Sequence, residues 1–325
     1  MKDAIPTTWQ SSCFRAMGSD IAIWLDAPPV QAAAAFSEAQ ALFATYEQTC
    51  SRFRPDSELS RLNARSGDWV TLSDLLWDVL RQALGMAALT NGRFDPTLLY
   101  GLWRTGYTDS FEQVAGGLGH SRWSPGWSRT GRWAEVQLDE ARQAVRLPLG
   151  VGVDLGGIAK GYTAQAAMAR LRTIGPCLVD AGGDLVAGPP PTGQPGWPVG
   201  IANPGSGPTN LATIWLAEAA LATSGIDYRH WLQNGRAVHH LLDPDSGQPA
   251  NTDGLTVTVL AADAAQAEAW ATATLVAGSA GMAALAALAM AGLMVTQDGR
   301  ILATPAMDAA LMGGGQPVTG SSKYQ

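Results

Sequence analysis

Asp154 and Lys160 stand six residues apart around the glycine pair Gly156–Gly157, in the run VDLGGIAKGYTAQAA. An acid and an amine flanking glycines can hold an anion. Glycines let a ligand approach the backbone, and a helix starting just after them offers unpaired N–H groups and a partial positive charge. The run is not a P-loop, because GxxxxGK[ST] is absent, and it is not GxGxxG. On these residues alone, a plain strand-to-helix turn with a solvated Lys160 is an equally good reading. Four histidines, His120, His230, His239 and His240, add groups that titrate near neutral pH. His240 precedes a Leu-Leu-Asp-Pro turn, where it suits a general base or, with His239, merely caps a strand end.

Such groups need ordered elements to position them. Val151 and Val153 suit a strand leading into the turn, and Tyr162–Leu171 has helical composition. IAIWLDA (21–27) reads as a strand, followed by an alanine-rich helix near 30–50. SELSRLNARSG predicts a short helix ending at Gly67. LSDLLWDVLRQALGMAALTNG (72–92) has apolar residues at helical spacing, with Ser73 as N-cap and Gly92 as the stop. Residues 101–150 are rich in Trp, Gly and Arg with poor periodicity, and read as loops around a strand pair at AEVQLDEARQAVRLP. CLVDAGGDLVAG predicts a glycine-punctuated strand pair, and 188–198 a Pro/Gly loop. PTNLATIWLAEAALATSG supplies one strand-like segment, and GLTVTVLAADAAQAEAWATATLVAG runs from a strand into a long helix. No internal repeat is visible. Helices interleaved with mostly antiparallel strands predict an α+β fold.

Composition narrows the classes. A chain of 325 residues has ample core, and with only 15% charged residues its interior should be large. A formal charge of −7 with no Lys/Arg cluster argues against nucleic acid and leaves a small anionic ligand open. Cys13, Cys50 and Cys177 lack CxxC spacing, so free buried thiols are expected rather than a zinc site or disulfides. The N-terminus has no apolar core of signal-peptide length, and Cys13 follows polar Ser11 and Ser12, so a cytoplasmic location is expected. Residues 269–297 carry no formal charge over a membrane-spanning length. Their Ala, Gly, Thr and Ser content and the AGSAG break at 277–281 instead predict a buried helix at 282–291. Two strands about an Asp-Gly turn should follow.

Several segments place a polar or acidic residue beside glycine or proline at an element end: AMGSD, SRFRPDSELSRLN, GRFDPTL, DLGGIAKG, DAGGDL, ATSGIDYRHW, HHLLDPDSGQP and AEAWATAT. Each alone is weak, since Asp-Pro and Ser-Gly usually just make turns. In this order and spacing they resemble the FAD:protein FMN transferase family, the ApbE-like flavin transferases, from Met17 to about Thr304. The resemblance implies one α+β domain around an FAD cleft, with a core of about 14–305, a loop-rich insertion of about 101–135 and a tail of about 306–325. It implies a Mg²⁺-dependent reaction that splits the FAD pyrophosphate, moves FMN onto a threonine hydroxyl of a target flavoprotein and releases AMP. With water as acceptor the same site would be an FAD pyrophosphatase; without turnover, it would be an FAD-binding protein.

The resemblance also carries residue roles. The metal ligands would be the Ala159 backbone carbonyl, Glu268 and Thr272, the last two sharing a helix face at i, i+4. A hard cation with oxygen ligands neutralises the phosphates that repel a nucleophile. FAD contacts would come from Met17, Phe53, Asn63, Arg93, Phe94, Asp95, Thr97, Asp154, Lys160, His240 and Leu242. Met17 and Phe53 would flank the ring system, Asp95 would bond the flavin or ribityl part, and Lys160 would pair with a phosphate or with Asp154. His240 would activate the acceptor threonine, with His239 as a structural neighbour. Two positions depart from the family pattern. Glu268 stands where the family has Asp, moving the carboxylate out by about 1.5 Å, and Gln165 where it usually has Asp. Family acceptors carry an Asp-Gly-x-Thr-Ser/Gly-Ala-Thr-like motif. The nearest internal stretch, DGLTVTV (253–259), lacks the final Ala-Thr, so the expected partner is a separate flavoprotein.

Overall fold

Eight strands form one antiparallel sheet whose spatial order follows the chain. They are Gln10–Ala16, Ser19–Leu25, Cys177–Ala181, Leu185–Ala187, Ala219–Gly225, Gly254–Ala261, Ala291–Thr296 and Ile301–Ala303. This is a computed structural model, and it describes residues 9–115, 130–205, 209–233 and 235–312. The fold is α+β, as the interleaving of elements predicts. Helices Pro29–Cys50, Ala159–Leu171 and Ala264–Ala277 cover one face of the sheet. The hairpin Trp197–Ala202/Asn210–Leu216 and helix Pro305–Met312 cover the other. Side chains alternate between the two cores: Val179 packs toward the helices, while Leu178 packs toward Trp197 and Met307. Strands covered on both faces, Cys177–Ala181, Gly254–Ala261 and Ala291–Thr296, are buried at nearly every position, whereas the edge strand Gln10–Ala16 alternates.

Most expected elements are present with shifted ends. The alanine-rich helix starts with Pro29 in its first turn, where the missing N–H costs nothing. Helix Asp74–Leu89 is capped by Ser73, whose hydroxyl accepts from Leu76 N–H. The short helix runs over Glu58–Asn63 and ends well before Gly67. PTNLATIWLAEAALATSG is two strands in different sheets, because the chain turns at Glu218 with φ 50°. Val151 and Val153 are fully buried but pair with no strand. Instead the Asn63 side chain brackets the Val153 main chain, donating to its carbonyl at 2.8 Å and accepting from its N–H at 2.7 Å.

The expected tail folds in part: helix Pro305–Met312 docks through the fully buried Met307. The expected insertion holds helices Leu99–Arg104 and Phe111–Ala115, and its residues 116–129, His120 among them, lie outside the described residues. Cys50 and Cys177 are buried free thiols, each pushed up to about 12 by burial, whereas Cys13 is exposed because it faces outward on the edge strand Gln10–Ala16. Residues 269–297 fold as parts of two helices and a strand. Among the described residues, no helix is long and apolar enough to cross a membrane.

Candidate active site

A cavity of about 1060 Å³ opens where the glycine turn, helix Ala264–Ala277 and the segments around Met17, Phe53, Asp95 and His240 converge. Of the residues singled out in the sequence, Met17, Phe53, Arg93, Phe94, Asp95, Asp154, Ala159, Lys160, His240, Leu242, Glu268 and Thr272 all line it. Asn63 and Thr97 do not. Asn63 holds the Val153 main chain, and Thr97 lies fully buried behind Asp95, donating to its Oδ1 at 2.5 Å while accepting from Arg132 N–H at 2.7 Å.

Local chain geometry explains how the wall is assembled. Met17 and Gly18 both take positive φ, 52° and 68°, in the two-residue turn joining strands Gln10–Ala16 and Ser19–Leu25. That is the primed turn favoured by the strand twist, and it carries a left-handed Met to the cavity rim at a cost of about 1 kcal/mol. Met17 N–H then donates to Glu47. Arg52 is stacked between the Phe53 and Tyr107 rings, 4.1 and 4.4 Å from their centroids, and its Nε pairs with Asp154 Oδ1 at 2.8 Å. Asp154 is thus fixed by Arg52, and Lys160 does not reach it. Among the described residues Asp95 Oδ2 is buried with no partner at hydrogen-bond distance, and burial raises the Asp95 pKa against the opposing influence of Thr97 and the Trp133 main chain.

Lys160 instead joins two carboxylates, Asp184 at 2.8 Å and Glu268 at 3.3 Å. Burial alone would lower its pKa, and the two carboxylates outweigh that and hold it above the usual lysine value. Glu268 is pushed well up, first by burial and then by Asp184. Among the described residues its Oε2 is buried without a partner, and a single ammonium faces both carboxyl groups. Beside it, Thr272 Oγ1 lies 2.9 Å from Ser224 Oγ, and the Ala159 carbonyl accepts the Thr163 hydroxyl. Glu268, Thr272 and Ala159 together offer a carboxylate, a hydroxyl and a carbonyl to one cavity, a donor set that fits a hard divalent cation. Among the described residues no three His, Cys, Asp or Glu side chains cluster as a metal cage. A cation here would therefore take neutral oxygens, waters and substrate as its remaining ligands.

Two helices meet at this point. A Cβ on Gly161 would come within 2.8 Å of Glu268 Oε2 and 2.9 Å of the Ala264 Cβ. Gly161→Ala should therefore displace Glu268 and lower stability by about 1–3 kcal/mol, read as a fall in urea midpoint at unchanged m-value. Gln165 accepts from Ala264 N–H at 3.4 Å, so this departure from the expected Asp still ties the two helices together.

The hairpin His230–Gln233/Arg236–His239 delivers His240 to the cavity. It is anchored by Trp231 Nε1 and Gln233 Nε2, which donate to the Thr105 and Arg104 carbonyls. His240 Nδ1 lies 3.3 Å from the Arg229 carbonyl, an acceptor only, so Nδ1 carries the proton and Nε2 the lone pair. Burial, then the Arg229 charge, lowers its pKa to about 3. His240 is neutral at physiological pH. His239 is also lowered by burial, and among the described residues its Nδ1 has no partner.

The ApbE family's sequence profile matches residues 17–295. The chain belongs to the ApbE family. Among its relatives, the FAD:protein FMN transferase of Treponema pallidum is 29% identical over 272 residues, covering 79% of this chain and 75% of that protein. The Chlamydia trachomatis protein of the same name is 30% identical over 253 residues, 74% of this chain and 76% of its own. The ApbE protein of Thermotoga maritima superposes with a TM-score of 0.81 at 26% identity, covering 93% and 99% of the two chains. Flavin transferase ApbE from Vibrio cholerae does so with a TM-score of 0.72 at 25% identity, covering 93% and 100%. Arg52, Asp184, Ser224 and Arg229 escaped the sequence reading as individual residues. All four lie inside ApbE-like segments it singled out, SRFRPDSELSRLN, DAGGDL and ATSGIDYRHW.

Proposed function

We propose that this protein transfers FMN from FAD to a threonine hydroxyl of a separate flavoprotein and releases AMP. The reading rests on one observation: a neutral His240, the oxygen donors Glu268, Thr272 and Ala159, and the cation Lys160 all face one cavity of about 1060 Å³. That volume accommodates a dinucleotide, being at the upper end of small-molecule sites. Met17 and Phe53 flank the flavin, with Arg93, Phe94, Asp95, Asp154 and Leu242 completing its pocket. Asn63 and Thr97 act through the residues they hold, Val153 and Asp95. Mg²⁺ held by Glu268, Thr272 and the Ala159 carbonyl would supply charge neutralisation for the pyrophosphate.

The chain's own residues account for the proton and the geometry. A threonine hydroxyl is a poor nucleophile while protonated. His240 Nε2 takes that proton as the hydroxyl oxygen bonds to the phosphorus of the FMN half. The bond from that phosphorus to the bridging oxygen breaks, and its electron pair leaves on the AMP phosphate. The Arg229 carbonyl keeps the imidazole in the productive tautomer throughout. Because the site spans both halves of the dinucleotide, FAD should bind at least about tenfold tighter than FMN, a difference of about 1.4 kcal/mol. Calorimetric titration checks this, and equal affinities would remove the dinucleotide reading.

A further inference from the structure

Arg229 sits half-buried on the cavity wall beside His240, and among the described residues it forms no ion pair. The other arginines close to the glycine turn and the rim are committed. Arg52 is tied to Asp154, Arg15 to Asp20 and Glu112, and Arg54 reaches Asp56. Arg93, the remaining unpaired cation of the wall, is exposed. Arg229 differs in that its own carbonyl is the group that faces His240 Nδ1 at 3.3 Å, which fixes residue 229 next to the proposed base. Arg229, His240 and Lys160 all line the same cavity, which puts a second cation on the wall that carries the base and the lysine–carboxylate cluster. Two cations on one cavity wall, one of them outside any ion pair among the described residues, can attract an anion into the cavity.

We infer that Arg229 is a further catalytic residue, whose guanidinium binds the non-bridging oxygens of the phosphoryl group being transferred. This deepens the transferase reading and rests on it. In the transfer, the threonine oxygen bonds to phosphorus, the bond to the bridging oxygen breaks, and the hydroxyl proton goes to His240 Nε2. Negative charge on the equatorial oxygens must be held while this occurs, and a planar fork of N–H donors matches two of them at once. Residue 229 thus contributes twice: its carbonyl sets the tautomer of the base, and its side chain holds the group under attack.

Substitution separates the two contributions, because it removes the guanidinium and leaves the carbonyl. Arg229→Ala and Arg229→Gln should each lower kcat for FAD turnover by about 10²–10³-fold, the usual worth of one donor aimed at developing charge. Added guanidinium at millimolar concentration should recover at least about tenfold of the Arg229→Ala rate, which a merely structural role would not allow. Independently of turnover, inorganic pyrophosphate should bind wild-type protein and bind both variants at least about tenfold more weakly in calorimetry. Variants that turn over FAD and bind pyrophosphate within about twofold of wild type would overturn the inference and leave the transferase reading standing. A wild-type protein that binds pyrophosphate through Arg229 but never cleaves FAD would instead overturn that reading, and with it a catalytic role for this residue.

Discussion

Glu268→Ala should abolish Mg²⁺-dependent turnover of FAD, by at least about 10³-fold, while Glu268→Asp retains the activity or raises it. Charge neutralisation by a bound cation is worth several kcal/mol, and each 1.36 kcal/mol is a factor of ten in rate. Glu268 is the carboxylate in the proposed donor set, and among the described residues its buried Oε2 has no other partner. Its second oxygen already bonds Lys160 at 3.3 Å, so the side chain's reach is shared between the ammonium and the cavity. Asp is one methylene shorter and would draw the carboxylate back from Lys160. Lys160 keeps Asp184 at 2.8 Å in either variant, so the wall should stay intact. Steady-state assays with a Mg²⁺ titration check the result. Turnover of Glu268→Ala at the wild-type rate would show that the cation is held elsewhere.

His240→Ala should retain FAD binding and lose about 10²–10⁴-fold in FMN transfer, the contribution of a positioned base. His239→Ala should cost far less. The pH behaviour follows from the lowered pKa of about 3, caused first by burial and then by the Arg229 charge. The ring is already neutral across pH 5–8, so His240 should impose no acid limb on kcat/KM in that range. Its effect on stability has a definite sign. The folded ring resists protonation, whereas in the unfolded chain a histidine titrates near its ordinary value of about 6.5. The stabilising contribution is complete above about pH 6.5 and is lost as pH falls toward 3. In His240→Ala the Tm should therefore fall less steeply on acidification than in wild type. An acid limb near pH 6.5 that vanishes in His240→Ala would mean that the ring is solvated and carries a proton in the resting enzyme.

How far the sequence discloses this site depends on whether the information is local. Ser73 as a cap and the Gly182–Gly183 turn between two strands follow from residue types within a few positions, and both are present. The ApbE-like segments likewise mark the cavity wall, most of them as turns that carry a polar residue to an element end, while AEAWATAT lies inside helix Ala264–Ala277 and presents Glu268 and Thr272 from it. Pairings across long separations are not written in any local pattern. Asp154 and Lys160 share one turn, yet Arg52 arrives from 102 residues away to take Asp154, and Glu268 from 108 residues away to meet Lys160. Asn63 shows the same limit. Its motif marks it as part of the site, but its amide satisfies the buried Val153 main chain 90 residues on, standing in for a strand partner. The tail helix was hidden for another reason: Pro305–Met312 gains its stability from burying Met307 against the far face of the sheet, which no helical propensity announces.

Transfer of FMN from FAD to a threonine yields two products, and both can be followed at once. Wild-type protein would be incubated with FAD, Mg²⁺ and a flavoprotein domain bearing an Asp-Gly-x-Thr-Ser/Gly-Ala-Thr motif. Intact-mass spectrometry reads the domain, and chromatography reads the nucleotides. One FMN on the motif threonine is expected for each AMP released. AMP and free FMN appearing in equal amounts, with the threonine unmodified, would contradict it and make the protein an FAD pyrophosphatase.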